Sequence, residues 1–177
     1  MLMRNLEAKF PLGDHAGARA IAEAIGYTER AIVRQRDTFF RVEHGKLKLR
    51  EGAEEAPGAL IYYGRESSGE LQLSRYEIVL VSDPAAMRTM LATALGILAE
   101  VRKERTLLMR ANVRLHLDRV ADLGDFGEIE AVIAEGDDPE SSRAAVDELL
   151  AALGIGSGDL IGVSYFELMT DSGRKRI

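Results

Sequence analysis

The chain has 177 residues with a formal net charge of −6, 46% hydrophobic and 29% charged residues, and no cysteine. This is the mixture of an ordinary globular chain, most simply one domain over residues 1–170, and it excludes a disordered protein, a disulfide framework, a thiolate zinc site and a cysteine nucleophile. The acidic balance argues against a general nucleic-acid binder, the lack of any run near about eighteen apolar residues argues against a membrane span, and charges at Arg4, Glu7 and Lys9 break any signal-peptide core, which leaves a cytoplasmic protein as the default.

Met1 to Phe10 reads as a strand with Asn5, Glu7 and Lys9 on one face and Leu6, Ala8 and Phe10 on the other, ended by Pro11 and Gly13. Asp14 is a candidate N-cap for a helix through AGARAIAEAI, with Ala18, Ile21, Ala22 and Ile25 on one stripe and Gly26 as its stop. A strand from about Glu29 to Val42 and a turn at Gly45 lead into KLKLR, where Lys46, Lys48 and Arg50 share a face. After the polar loop EGAEEAPG come two more strands, ALIYYGR and LQLSRYEIVLV, joined by ESSGE. Asp83 and Pro84 open a helix to Ile97, whose Met87, Met90, Leu91, Ala94 and Leu95 form a stripe read as core packing. EVRKERTLLMR is the next strand.

The densest stretch is Arg114 to Glu130, RLHLDRVADLGDFGEIE, two alternating strands around a turn near Gly124. Arg114, His116 and Asp118 lie opposite Leu115 and Leu117, and Glu128 and Glu130 flank Ile129 in the same way. Pairing of the two strands brings Asp118, Glu128 and Glu130 to one face beside an arginine and a histidine. Like charges that close repel one another, so a divalent cation or a cationic partner is expected among them. Asp138 and Pro139 start a third helix carrying Ala144, Val146, Leu149, Leu150 and Leu153 and stopped at Gly154. GIGSG is not a phosphate loop, since no strand precedes it and no GK[ST] follows. A short helix from about Tyr165 to Met169 is expected, with residues 171–177 a frayed tail.

About eight strands, mostly sequential, and three main helices predict an α+β chain with antiparallel pairing. Charges share one parity on nearly every strand: Glu7 and Lys9; Lys48 and Arg50; Arg75 and Glu77; Lys103 and Arg105; Arg114 and Asp118; Glu128 and Glu130. That parity is either the solvent face of an open sheet, suited to docking a partner protein, or the lumen of a barrel. The segregation of basic pairs from acidic pairs favours the lumen, and a polyphosphate with bound metal ions fills such a lumen.

These residues resemble the CYTH proteins, or triphosphate tunnel metalloenzymes, which include class IV adenylyl cyclases and thiamine triphosphatases. Asn5, Glu7 and Lys9 stand where the family has ExExK, and Gln35, Asp37 and Phe39-Phe40 are similar to its QxDxYF. KLKLR, LIYYGRE, SRYEIVL, VRKERTLL, the run VRLHLDRVADLGDFGEIEAV and SYFEL match further pieces, eight in the family's order over nearly the whole chain. The resemblance implies an eight-stranded antiparallel β-barrel (a tunnel) with helices packed outside. It implies Mg²⁺ or Mn²⁺ held by Glu7, Asp118, Glu128 and Glu130, and a triphosphate held by Lys9, Lys48, Arg50, Arg65, Arg75, Lys103, Arg105 and Arg114. Lys9 and His116 are the candidates for catalysis, His116 being as well suited to a hydrogen-bonded wall position, while Gln35 and Asp37 are expected to shape the tunnel mouth. Asn5 in place of the first acidic residue predicts weaker metal binding, and Tyr63 stands where many members have lysine, with Arg65 placed to supply the charge. The implied function is a metal-dependent enzyme hydrolysing ATP, tripolyphosphate or thiamine triphosphate, with a homodimer as its candidate assembly and neither nucleic acid nor membrane as partner. The alternatives are adenylyl cyclase, in which pyrophosphate leaves as cyclic AMP forms, and a triphosphate or nucleotide binder without turnover.

Overall fold

A computed structural model describes residues 3–52, 57–66, 72–133 and 138–174. The elements are β1 (Met3–Pro11), α1 (His15–Ala24), β2 (Thr28–Phe40), β3 (Lys46–Glu51), β4 (Gly58–Glu66), β5 (Gln72–Val81), α2 (Pro84–Leu95), β6 (Ile97–Arg110), β7 (Val113–Val120), β8 (Gly124–Ile133), α3 (Pro139–Ala152), a 3-10 turn at Ser157–Asp159, and α4 (Tyr165–Arg174). The strands pair antiparallel in the order β1-β5-β4-β3-β2-β6-β7-β8, and β1 pairs with β8 as well as with β5, so the ring of ladders is closed. Three of these pairings join strands distant in sequence: β1 with β5, β1 with β8, and β2 with β6.

Local sequence explains the element ends. Asp14 accepts from the Gly17 backbone N–H at 3.0 Å, Asp83 from Ala86 at 2.9 Å, and Asp138 from Glu140 and Ser141 at 3.1 and 3.2 Å, so each main helix begins at a carboxylate that satisfies donors its first turn leaves unpaired. The β7–β8 turn carries Asp122 and Gly124 at φ 65° and 105°, a conformation glycine adopts without strain. On β8, a Cβ at Gly127 would stand 2.1 Å from Phe10 Cε2, so the close approach of β8 to the fully buried Phe10 ring requires glycine there.

The outward faces of β1, β6, β7 and β8 bury Ala8, Phe10, Leu108, Leu115, Leu117 and Ile129 against Ala18 and Ala22 of α1 and Val146, Leu149 and Leu150 of α3. α2 covers β2 and β3 through Met87 and Leu91, which pack on Phe40, Leu49 and Val81. Its covered stripe is narrower than the sequence predicts: Met90 and Leu95 are exposed, as are Ile21 on α1 and Ala144 on α3. α2 rests mainly on β2 and β3 through Met87 and Leu91, so only the inner edge of its stripe is covered. α4 packs on barrel ends at Phe39, Val120 and Phe126, with Phe166 stacked on Phe39 at 5.1 Å and Glu167 accepting from Lys46 at 2.7 Å. It runs to Arg174, past the expected end at Met169 and through the first residues of the segment read as a tail.

Candidate active site inside the barrel

Inside the ring lies a cavity of about 500 Å³. Glu7 and Lys9 reach it from β1, Gln35 and Asp37 from β2, Lys48 and Arg50 from β3, Lys103 and Arg105 from β6, Arg114 and His116 from β7, and Glu128 and Glu130 from β8. Val33, Ile61, Ile78, Leu107 and Met109 supply apolar wall, and Tyr165 of α4 and Ser164 just before it close in. The charged parity thus faces inward on six strands. On β5 it does not: Ile78 lines the cavity, Glu77 is exposed on the other face, and Arg75 shares the parity of Glu77. The side chains of Asn5, Arg65 and Arg75 lie outside the described residues, whereas Tyr63 is at the wall, 5.5 Å from the Lys48 ammonium.

One charged cluster is centred on Asp118, which has no exposed surface. Arg105 donates to both of its oxygens at 2.6 Å through Nε and Nη2, the Tyr165 hydroxyl donates to Oδ2 at 2.9 Å, and Lys103 Nζ lies 3.6 Å away. Arg105 Nη2 also donates to Glu128 at 2.6 Å, and Lys9 donates to the other Glu128 oxygen at 2.9 Å. Burial pushes both carboxyls up, but Lys103 and Arg105 hold Asp118 below its ordinary value, and Lys9 and Arg105 hold Glu128 well below its own. Burial, then repulsion by Arg105, brings Lys103 down to about 7. The same two causes lower His116, which is neutral at pH 7, and its Nδ1 has no hydrogen-bond partner, with a Glu128 oxygen 3.5 Å away.

A second cluster is Asp37 with Lys48 and Arg50. Asp37 was expected at the mouth. It is 4% exposed and accepts from Lys48 at 3.0 Å and from Arg50 Nε and Nη2 at 2.8 Å each. Sequence pattern missed this contact because Asp37 meets Arg50 only through the register of β2 on β3. Tyr165 was likewise placed only on a terminal helix, far in sequence from the Asp118 to which it donates.

The acidic trio takes the cationic partner that is expected among its carboxylates. Arg105, reaching from β6, stands between Asp118 and Glu128, and Glu130 accepts from Arg114 at 3.2 Å. Asp118 is therefore fully buried beneath Arg105, away from the cavity lining. Among the described residues no three His, Cys, Asp or Glu side chains form a ready metal cage. The donor set still fits a divalent cation through three of the four expected residues, Glu7, Glu128 and Glu130, which line the cavity. Glu7 and Glu130 face each other across the β1–β8 ladder, Glu128 lies on the same face, and the unpartnered Nδ1 of His116 is beside Glu128. Like charges directly opposite on a ladder are destabilising unless a cation joins them.

The whole is an antiparallel eight-stranded barrel that keeps its charge of both signs inside. The family model for the CYTH domain matches residues 3–165, and the chain belongs to that family. Among solved structures the chain is similar to the PH1012 protein of Pyrococcus horikoshii, with 22% identity, a TM-score of 0.80, and 93% of this chain and 98% of that one covered. It is similar to a candidate adenylate cyclase of Vibrio parahaemolyticus, with 18% identity, a TM-score of 0.75 and coverage of 94% and 97%. It is also similar to HpAC1 of Hippeastrum, described as having a dominant triphosphatase activity, with 14% identity, a TM-score of 0.68 and coverage of 96% of each chain. At these identities the structural likeness carries the fold. No curated protein matches the sequence. Among the described residues no helix is long and apolar enough to cross a membrane.

Proposed function

We propose that the protein is a metal-dependent enzyme that holds a triphosphate in the barrel cavity and hydrolyses it. The observation that carries this reading is the sorting of charge by strand: carboxylates Glu7, Glu128 and Glu130 gather on the β1–β8 seam, where Lys9 is the one cation of that ladder among the lining residues, while the other cations come from β3, β6 and β7. Phosphoryl transfer needs this mixture, because it is catalysed by positioning and charge neutralisation more than by a protein nucleophile.

Glu7, Glu128 and Glu130 would hold Mg²⁺ or Mn²⁺, with His116 Nδ1 beside them. When bound, such an ion polarises the reacting phosphate and lowers the pKa of a bound water. Lys9, Lys48, Arg50, Lys103, Arg105 and Arg114 neutralise and orient phosphate oxygens, the arginines as planar two-toothed donors. Neutral His116 is able to take a proton from an attacking water. The apolar wall of Val33, Ile78, Leu107 and Met109 leaves room for an organic group on the triphosphate.

The test is an assay of tripolyphosphate and ATP with Mg²⁺ or Mn²⁺ that separates orthophosphate from cyclic AMP, run beside calorimetric binding of tripolyphosphate. Orthophosphate release that stops when metal is chelated is expected. Cyclic AMP with pyrophosphate would assign the cyclase reaction instead. Tight binding without product over hours would make the protein a triphosphate binder, as a cage weakened at Asn5 would allow. Neither binding nor product overturns the triphosphate reading.

A further inference from the structure

Asp37 is a carboxylate on the wrong side of the cavity for the seam that would hold metal, surrounded by groups that would hold phosphate. It sits on β2 directly opposite Arg50 on β3 and opposite Val101 on β6. Both of its oxygens are engaged, one by Arg50 Nε and the other shared by Arg50 Nη2 and Lys48 Nζ. We propose that Asp37 is the positioning residue of the phosphate clamp, fixing the Arg50 guanidinium and the Lys48 ammonium in place and remaining bonded to them when phosphate arrives. This inference rests on the triphosphate reading of the cavity.

The rival role is a placeholder that neutralises the two cations in the empty protein and retreats when substrate enters. Geometry opposes it. A retreating carboxylate needs water to turn to, and the Asp37 side chain is 5% exposed on a strand paired on both sides. The two-toothed contact uses Nε and Nη2 of Arg50, a residue that lines the cavity, and leaves Nη1 outside the contact, an arrangement in which one edge of the planar fork is held while another donor is left to read an anion. Lys48 is confined as well, between the rings of Phe39 at 5.6 Å and Tyr63 at 5.5 Å. Two cations against one carboxylate leave the cluster net positive, so holding them does not cancel their pull on phosphate.

Asp37→Asn keeps the shape but removes the charge and one of the two acceptor oxygens. Its tripolyphosphate affinity is expected to fall about ten- to hundredfold, the loss of one charge-assisted contact's worth of order at the clamp. A second readout separates positioning from mere folding. Burial and Arg50 already lower the Lys48 ammonium, opposed by Asp37 and by Glu128 from across the cavity, with Tyr63 facing it from β4. Without the Asp37 charge, Lys48 gives up its proton more readily, and so does Lys103, which Asp37 also favours as the ammonium, so the alkaline limb of binding moves to lower pH. Unchanged or tighter binding in the variant, or an alkaline limb that stays where it is, overturns the proposal. In the wild-type protein, which does not depend on the variant folding, the ¹⁵N signal of Arg50 Nε–H is expected to stay protected from exchange when tripolyphosphate is added. Loss of that protection on binding shows the carboxylate leaving and overturns it too. Wild-type protein that binds no tripolyphosphate overturns the triphosphate reading itself, a result distinct from either of these.

Discussion

Arg105→Met lowers the stability of the empty protein by roughly 3–5 kcal/mol at pH 7, the usual cost of stripping one partner from a buried ion pair. The reason is Asp118, which has no exposed surface and takes both of its strongest contacts from Arg105 at 2.6 Å. Tyr165 and the more distant Lys103 remain, and Glu128 loses a 2.6 Å contact at the same time. The pH dependence of the loss identifies its cause. In the native protein Asp118 and Glu128 titrate below their unfolded values, so their contribution is complete above the ordinary carboxylate pKa of about 4 and is lost only as the pH falls through the lower folded values. In the variant Lys103 still lowers Asp118 and Lys9 still lowers Glu128, but the Arg105 contribution is gone, so both folded carboxyl values rise and the gap between the two proteins opens as the pH climbs. Urea denaturation of both proteins between acid and neutral pH should therefore show the gap narrowing in acid. A gap below about 1 kcal/mol at pH 7, or one that does not change with pH, would mean that Asp118 does not depend on Arg105.

Lys103→Met should do the opposite: raise stability at neutral pH by a few kcal/mol while weakening triphosphate binding about tenfold or more. Lys103 is 7% exposed, and its ammonium titrates at about 7 instead of the 10.5 of a free lysine, because burial and Arg105 outweigh Asp118. A base whose folded pKa is depressed destabilises the fold while it is protonated. That penalty is full below about 7 and relieved as the pH rises toward 10.5. Methionine fills a similar volume without a charge, so the variant should melt higher near pH 6–7 and converge on the wild type near pH 10, as far as this group is concerned. Its binding should suffer at every pH at which the wild-type lysine is charged. A variant that is less stable at neutral pH, or that binds tripolyphosphate as well as the wild type, removes Lys103 from the phosphate wall. Such a trade of stability for binding is what a site built around repelling cations entails.

The β7–β8 hairpin was legible because its pairing is local: alternation fixed which face Arg114, His116 and Glu128 take, and the turn at Gly124 fixed the register. The eight antiparallel strands and the helix starts at Asp14, Asp83 and Asp138 were legible for the same local reasons. What failed depended on partners far along the chain. Parity placed Asp118 and Glu128 on one face but could not show that Arg105 of β6 inserts between them. On β5, Ile78, Val79 and Leu80 are apolar in succession, so alternation was silent there and could not show that Ile78, not Glu77, lines the cavity. A stripe such as Met87, Met90 and Leu91 reports that a helix is amphipathic, not how much of the stripe its neighbour covers.

Every carboxylate that would hold metal already holds a cation of the phosphate wall: Glu128 with Lys9 and Arg105, Glu130 with Arg114, Glu7 with Lys9. On the proposed reading, the two ligands therefore break the same ion pairs. Glu128 cannot turn fully to a divalent cation without loosening Lys9 and Arg105, and those two cannot turn fully to phosphate without loosening Glu128. Whichever ligand arrives first does part of the work for the second, which is positive heterotropic linkage, and thermodynamics makes the enhancement equal in both directions. The affinity of this barrel for a triphosphate is thus not one constant but a function of free metal concentration, and the calorimetric titration reads the same coupling whether metal or tripolyphosphate is added last.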